Sequence, residues 1–217
     1  MAVLLTNADG FSAHVVLLSN KTALVTGDLQ GRGVKLLFTG DSSSSAAKRL
    51  RQGGISFIWD TAANSGYVLS EALQGYAPMA LAIRVTNLVA RAAMVKAVAA
   101  AIEGHRCDQE EVTLSFSDGS TAEFHVWRAV DLKRFPLRIS SASDPASFTF
   151  NFTNVRLAVP PNELFQPPED FTKYENAAAM MDELAFRQQD LRRGAAPRGG
   201  DDGGGVSAPK SGGPRGH

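Results

Sequence analysis

The chain has 217 residues, of which 44% are hydrophobic, and 22 lysines and arginines balance 22 aspartates and glutamates. This length and composition support one folded domain with a sizeable core, and the balanced charge provides no global field that would attract nucleic acid. The only cysteine is Cys107, so an internal disulfide and a cysteine-built zinc site are excluded. The apolar runs are too short for a bilayer-spanning helix. We expect no metal, no cofactor and no nucleic-acid partner.

The N-terminal part has the alternating apolar and polar positions of an antiparallel meander. We predict a strand over residues 11–18, buried largely on both faces, and a second strand over residues 23–29. Gly31-Arg32-Gly33 then predicts a tight reversal before a third strand over residues 34–39, because glycine accepts the positive φ of such turns.

The next stretch predicts a second, aromatic part of the same sheet. Residues 41–52 are polar, serine-rich and basic, and we interpret them as a loop on the rim. A strand over residues 54–61 places Phe57 and Trp59 on one face, and residues 67–71 predict its partner strand.

Two helices are predicted. Residues 88–103 are rich in alanine, follow a capping Thr86 or Asn87 and precede Gly104, which is typical of a helix stop. We expect this helix to lie across the mouth of the sheet. Asn176 caps a second helix of the C-terminal part, over about residues 176–193, with an apolar stripe that includes Met180, Met181, Leu184 and Leu191.

The central stretch, residues 110–157, reads as strand, turn, strand, turn, strand, with the middle strand running over residues 121–139. In the last strand Phe148, Phe150 and Phe152 fall on one face. Burying each phenylalanine stabilises a fold by about 1.5 to 3 kcal/mol, so this row has to be covered by a helix, a partner or an apolar ligand.

The C-terminal end of the chain changes in character. Residues 160–174 are an extended segment with several prolines, and from Gly194 onward the chain is rich in glycine, proline and serine. Such a tail cannot offset the entropy of folding. We therefore predict a single domain over residues 1–193 and a disordered tail over residues 194–217.

Several short segments resemble one superfamily. They are FSAHVVL from Phe11, the Ile-Glu-Gly-His-x-Cys approach to Cys107, VWRAVDLKRFPLRI over residues 126–139, the strand ending FTNVRL, and the proline-rich sequel over residues 160–174. Together they are similar to the LolA and LolB type of periplasmic lipoprotein carriers, and more closely to uncharacterised bacterial relatives of these carriers.

The resemblance implies a mainly β fold with some α structure: a curved antiparallel sheet, or incomplete β-barrel, covered on its open side by helices. It also implies an apolar cavity for a lipid or an acylated lipoprotein, peripheral membrane contact, and a place in the periplasm or cell envelope. The start of the sequence shows no leader, which keeps a cytoplasmic location open. In such carriers an arginine on an early strand helps to hold the lid, and the candidates here are Arg32 and Lys35.

The aromatic face is the candidate site. The residues predicted to line an apolar cavity are Phe57, Trp59, Phe124, Val126, Phe148, Phe150 and Phe152, and those predicted to hold a lid or meet headgroups are Arg32, Lys35, Arg49 and Arg51. Two interpretations remain open. The aromatic face is either the wall of a ligand cavity or a plain core, in which case the protein is a structural or protein-interaction module.

Enzymatic motifs are weak. Ser45 and Lys48 match a Ser-x-x-Lys pattern without the other boxes of penicillin-binding enzymes. His105 and Cys107 have no further ligand pair nearby, and His14 and His125 lie inside predicted strands, where ordinary structural histidines are common. We therefore predict a non-enzymatic protein.

Overall fold

A computed structural model of the protein describes residues 9–42, 54–80, 85–91, 100–143 and 148–194, and these form thirteen strands, one α-helix and one 3-10 turn. The strands are β1 Gly10–Ser19, β2 Thr22–Arg32, β3 Lys35–Ser42, β4 Ile55–Asp60, β5 Ser65–Ser70, β6 Gly75–Ala80, β7 Val85–Arg91, β8 Ala100–Ile102, β9 His105–Phe116, β10 Thr121–Ala129, β11 Pro136–Ser141, β12 Thr149–Arg156 and β13 Thr172–Lys173. The 3-10 turn spans Asn162–Phe165, and helix α1 spans Ala177–Gly194. The predicted mainly β composition is confirmed.

All thirteen strands belong to one open, mixed sheet. Its order is β13-β6-β5-β4-β3-β2-β1-β12-β11-β10-β9-β7, with β8 pairing with β9 beside this path. Every pairing is antiparallel except the short parallel one between β13 and β6. Register shifts interrupt four of the strand pairings. Because bulges bend strands and twisted sheets of more than about ten strands curl, we expect this sheet to be strongly curved.

The two faces of the sheet differ in chemistry. In β1, Phe11, Ala13 and Val15 are buried, while the alternating His14 and Val16 are only half-buried. The prediction that this strand is buried on both faces is therefore wrong for its second face. The neighbouring strands extend each of these two rows of side chains. Val15 lies opposite Phe152 on one face, and Val16 lies opposite Asn151 on the other. We call the side that carries Phe11 and Phe150 the aromatic face and the side that carries His14 and Asn151 the polar face.

Helix α1 covers only one end of the aromatic face. It begins where predicted, since the side chain of Asn176 accepts a hydrogen bond from the backbone N–H of Ala179 at 2.9 Å. Met180 and Leu184 are buried against Ile55, Val68, Leu73 and Ala77. On the opposite side of the sheet, Phe165 packs on Leu37 of β3, Ile58 of β4 and Leu69 of β5.

The helix predicted over residues 88–103 is wrong in the described parts of that range. Val85–Arg91 is strand β7, paired with β9 so that Leu88 lies opposite Leu114, and Ala100–Ile102 is strand β8. Pairing with an open sheet edge outweighs the helix propensity of alanine, which is a weak preference of tenths of a kcal/mol per residue. Residues 92–99 lie outside the described residues.

The strand predicted over residues 121–139 is also wrong, because it is two strands. A loop separates β10 from β11, and Lys133 and Arg134 in this loop have φ values of 49° and 59°. The chain reverses there without any glycine, so no turn signature marked it. The predicted reversal at residues 31–33 is shifted as well, because Arg32 ends β2 and pairs with Lys35.

Other predictions concern residues that the structure does not describe. The rim loop predicted over residues 41–52 begins within β3, which ends at Ser42, and its remainder lies outside the described residues, as do Ser45 and Lys48. The predicted tail beyond Gly194 also lies outside them. Within the described chain, no helix has the length and apolar character needed to cross a membrane.

Candidate functional site

The predicted cavity residues all lie on the aromatic face, but the structure divides them into three groups. Val126 and Phe152 are fully buried, with 0% exposure, inside the main core. Phe152 lies opposite Val15 on β1, and its ring contacts the ring of Phe135 at 5.9 Å. These two residues are structural core and are inaccessible to a ligand.

Phe57 and Trp59 form the second group, on β4. Their rings stack at a centroid distance of 5.5 Å. Phe57 packs against the group under helix α1, whereas Trp59 packs against the main core. Trp59 Nε1 is buried and has no hydrogen-bond partner among the described residues. The pair lies four strands from β12 in the sheet order, so it flanks the third group at a distance.

Phe124, Phe148 and Phe150 form the third group and are half-buried. The ring of Phe148 lies 5.8 Å from that of Phe124 and 5.7 Å from that of Phe150, so the three rings make one continuous row. Leu17 lies opposite Phe150 on β1, and Phe116 ends β9 on the same face of the sheet; both are half-buried. We call these five residues the aromatic mouth.

Sequence analysis did not select Leu17 or Phe116. Leu17 continues the alternation of Phe11, Ala13 and Val15, and Phe116 continues that of Val112 and Leu114. Their period-two spacing predicts that each lies on the apolar face of its strand. Which residues of other strands share that face with them depends on strand order, which alternation alone cannot give.

The opposite end of the aromatic face is closed. Phe11, Phe135 and Leu137 are between 1% and 3% exposed, and the rings of Phe11 and Phe135 lie 5.0 Å apart. The ring of Phe11 lies directly over Gly31, where a Cβ would come within 2.1 Å of it. The loop between β10 and β11 supplies Phe135, and so this loop seals the end of the face away from the aromatic mouth.

A charged cluster fixes that loop. Arg128 Nε donates to Glu110 Oε2 at 2.7 Å, Arg134 donates to Glu110 Oε1, and Arg134 Nη1 donates to Asp108 Oδ2 at 3.0 Å. Burial alone would raise the pKa of Glu110, but the hydrogen bonds from Arg134 and Arg128 outweigh it and hold this pKa below its usual value. The cluster is structural, and sequence analysis missed it because its members lie 18 to 26 residues apart.

The predicted lid residues take different roles. Arg32 Nη1 donates to the carbonyl oxygen of Pro160 at 2.6 Å, 128 positions away, so it ties the segment after β12 to the end of β2. Lys35 begins β3 opposite Asp60 of β4. Arg49 and Arg51 lie outside the described residues. Arg32 therefore fastens the extended segment after β12, and this hydrogen bond does not hold a helix.

His14 has partners on the polar face. Its Nδ1 lies 3.0 Å from Asp28 Oδ1, and its Nε2 lies 3.0 Å from Thr26 Oγ1. This order of groups matches a nucleophile, base and orienting acid. However, the Asp28 side chain is 72% exposed, so water competes for its oxygens and it holds the imidazole weakly.

Two other candidate polar residues, His105 and Cys107, have no arrangement typical of a catalytic or metal site in the described part of the chain. His105 Nδ1 bonds Asp131 Oδ2 at 2.7 Å, and the carboxylate pKa of Asp131 is lowered by this bond. Cys107 is 2% exposed, and burial raises the pKa of its thiol. In the described part of the chain, no three histidine, cysteine, aspartate or glutamate residues converge as metal ligands would.

No family model matches the chain. No curated protein matches it either. Among solved structures it is similar to PNGF-II, with a TM-score of 0.44 and 12% identity over 83% of this chain and 33% of that one. It is similar to MucB, with a TM-score of 0.39 and 14% identity over 77% of this chain and 62% of that one. It is also similar to the lipoprotein LppX of Mycobacterium tuberculosis, with a TM-score of 0.37 and 14% identity over 69% of this chain and 87% of that one.

The chain thus spans about a third of PNGF-II and less than two thirds of MucB. At such low identity, function has to be inferred from the chain's own residues.

Proposed function

We propose that the protein is a non-enzymatic binding protein that holds an acyl chain, of a lipid or of an acylated lipoprotein, against the aromatic mouth. One observation carries this proposal: the aromatic face is sealed at the Phe135 end but leaves Phe124, Phe148 and Phe150 half-buried at the other. Half-exposed aromatic rings in a continuous row keep part of their apolar surface in water. Covering that surface with an apolar ligand is favourable by about 25 cal/mol per Å².

The chemistry of the aromatic mouth favours an apolar ligand without polar groups. Its five side chains carry no hydrogen-bond donor or acceptor. Ser141 lies opposite Phe124 in the register, but it is 7% exposed and its Oγ lies 3.1 Å from Ser143 Oγ. Recognition there is non-directional and depends on area, which suits an acyl chain better than a ligand that needs fixed polar contacts.

The location proposed is the cell envelope. It rests on the resemblance of residues 126–139 and 160–174 to the periplasmic carriers and on no contact in the structure. Fractionation of a bacterial host that makes the full-length gene product tests it. Recovery in the cytoplasmic fraction alone would remove the envelope from the proposal and leave apolar binding intact.

The binding proposal is tested by purifying the protein from a bacterial host, extracting it with organic solvent and searching the extract for acyl lipids by mass spectrometry. A fluorescent fatty acid is then titrated into the delipidated protein. We expect Phe124→Ala and Phe150→Ala to weaken probe binding by about tenfold each, since each removes the apolar area of a ring.

The matched control is Phe186→Ala. Phe186 is 59% exposed on helix α1, so its removal subtracts an exposed phenylalanine without touching the aromatic mouth. We expect this variant to bind the probe as the wild type does. If the extract holds no lipid and the wild type binds no probe, or if Phe186→Ala loses as much affinity as Phe150→Ala, the proposal is wrong. The aromatic mouth would then be a docking surface for a protein or an incompletely covered core.

A further inference from the structure

The polar face carries a groove of about 660 Å³ at the same end of the sheet as the aromatic mouth, but on the other side. Its walls include Lys21, Trp127, Arg138, Ser140 and Asn151, which come from the β1–β2 turn and from β10, β11 and β12. We call this the polar groove. Its volume is within the range of about 300 to 1,000 Å³ that is usual for small-molecule sites.

Arg138 lines the polar groove and is held in place there. Its Nε donates to Asn151 Oδ1 at 3.0 Å, and its guanidinium carbon lies 5.7 Å from the centre of the Trp127 ring. Both contacts position the flat guanidinium group but leave its Nη1 and Nη2 groups without a hydrogen-bond partner in the described part of the chain. A pre-oriented guanidinium with two open NH2 groups is the group that best recognises phosphate or carboxylate oxygens.

Ser140 supplies a second, independent observation. It is 3% exposed, it lines the polar groove, and its Oγ has no hydrogen-bond partner among the described residues. A buried hydroxyl without a partner is unfavourable, and such groups in folded proteins call for an explanation. A ligand oxygen in the polar groove provides one.

The charge of the polar groove selects the ligand. Lys21 lies in the β1–β2 turn with a φ of 65°, and none of the described residues that line the groove is acidic. The lining therefore combines two cations with the hydroxyl of Ser140 and the amide N–H groups of Asn151, all of which can donate hydrogen bonds. An oxyanion with three or four oxygens matches this set better than a carboxylate with two.

We propose that the polar groove binds a phosphate monoester group, with Arg138 as the principal ligand and Trp127 as the apolar wall for the organic part. The group can belong to a free phosphorylated metabolite or to an anionic lipid headgroup. This proposal is independent of the acyl-chain proposal, because the two sites use opposite faces of the sheet and share no side chain.

The test uses the emission of Trp127. The chain has two tryptophans, so Trp59→Phe leaves Trp127 as the only source of tryptophan fluorescence. Glycerol 3-phosphate and inorganic phosphate are titrated into this full-length variant at constant ionic strength, which excludes general charge screening as the cause of a change. In a second arm, the protein is sedimented with phosphatidylcholine vesicles with and without phosphatidic acid.

We expect Arg138→Gln to weaken phosphate binding by about tenfold or more, as loss of a charge-assisted hydrogen-bond donor does. Arg138 is half-buried, so its substitution could also destabilise the fold. Lys21 is exposed, and Lys21→Gln should therefore leave folding unchanged while weakening phosphate binding by about two- to fivefold. The matched control is Arg156→Gln, which removes an exposed arginine of the polar face outside this groove and should bind phosphate like the wild type.

Binding of the soluble phosphates that depends on Arg138 supports a metabolite as the source. Binding only to vesicles with phosphatidic acid, with the same dependence on Arg138 and Lys21, supports a headgroup as the source. The proposal is overturned if neither probe binds, if Arg138→Gln and Lys21→Gln bind as tightly as the wild type, or if Arg156→Gln loses as much affinity as they do.

Discussion

Two phenylalanines on strand β12 distinguish the core from the proposed binding surface. Phe152 is fully buried, whereas Phe150, two residues earlier on the same face, is half-buried at the aromatic mouth. We expect Phe152→Ala to cost about 3 to 5 kcal/mol of unfolding free energy, because it removes a ring packed on Phe135 and leaves a cavity. Phe150→Ala should cost only about 1 to 2 kcal/mol, because part of that ring's surface is already in water.

The magnitudes translate into thermal melts. In a chain of this size 1 kcal/mol shifts the Tm by about 2 to 4 °C, so Phe152→Ala should lower the Tm by about 6 to 20 °C and Phe150→Ala by about 2 to 8 °C. A fatty acid at about 100 times its Kd should raise the wild-type Tm by about 5 to 11 °C. The Phe152→Ala protein should keep this ligand-induced rise, and the Phe150→Ala protein, if it binds about tenfold more weakly, should keep only about half of it.

The measurement is calorimetry or circular dichroism on delipidated proteins with and without the fatty acid. Equal destabilisation by the two substitutions, with no ligand-induced rise in the wild type, would refute the reasoning. Phe150 would then belong to the core, and the aromatic face would need no ligand.

Three further predictions follow from single contacts. Glu110→Gln should lower the unfolding free energy by about 1.5 to 3 kcal/mol at pH 7. Because the pKa of Glu110 is lowered by folding, its stabilisation is present above its ordinary pKa of 4.5 and is lost as the pH falls below that value, so urea denaturation should show the two proteins converging in acid. Asn176→Ala should cost about 1 kcal/mol of unfolding free energy by removing the cap of α1. The control is Gln189→Ala, which changes an exposed residue of α1 away from the cap, and equal losses would exclude capping. Cys107 should react with a thiol reagent at least tenfold more slowly in the native protein than in denaturant, because burial limits access and raises the thiol pKa; equal rates would show that Cys107 is accessible.

The strands were predictable wherever the two faces of the sheet differ in polarity. Phe148, Phe150 and Phe152 alternate with threonine and asparagine, and the structure places β12 as the alternation predicts. Strand β7 was not predicted, because its sequence, VTNLVAR, alternates only weakly and precedes a long alanine-rich run. Its pairing with β9 is a long-range contact, and long-range contacts are not encoded in a local pattern.

The apolar, aromatic chemistry of the candidate site was predictable from the sequence. Which of its residues are buried in the core and which are half-buried at the aromatic mouth was not. Phe150 and Phe152 look alike in sequence, since both are phenylalanines on one face of one strand. What separates them is Phe135, which packs on Phe152 from a loop that sequence analysis predicted to be continuous strand. The polar groove was not predicted from the sequence for a similar reason. Its residues Trp127, Arg138 and Asn151 lie on three different strands and meet only through the register of β10, β11 and β12.

That shared register links the two proposed sites physically. Phe150 lies opposite Ile139 on the aromatic face, while the next residue, Asn151, lies opposite Arg138 on the polar face. A slip of one residue between β11 and β12 would exchange the faces and destroy both sites at once, because side chains alternate with a period of two. Single substitutions cannot do this. Phe150→Ala should therefore weaken acyl binding and spare phosphate binding, and Arg138→Gln should do the reverse. If either substitution abolished both activities in a protein that still folds, one ligand would have to reach both faces around the end of the sheet, and the sites would be two halves of a single amphiphile site.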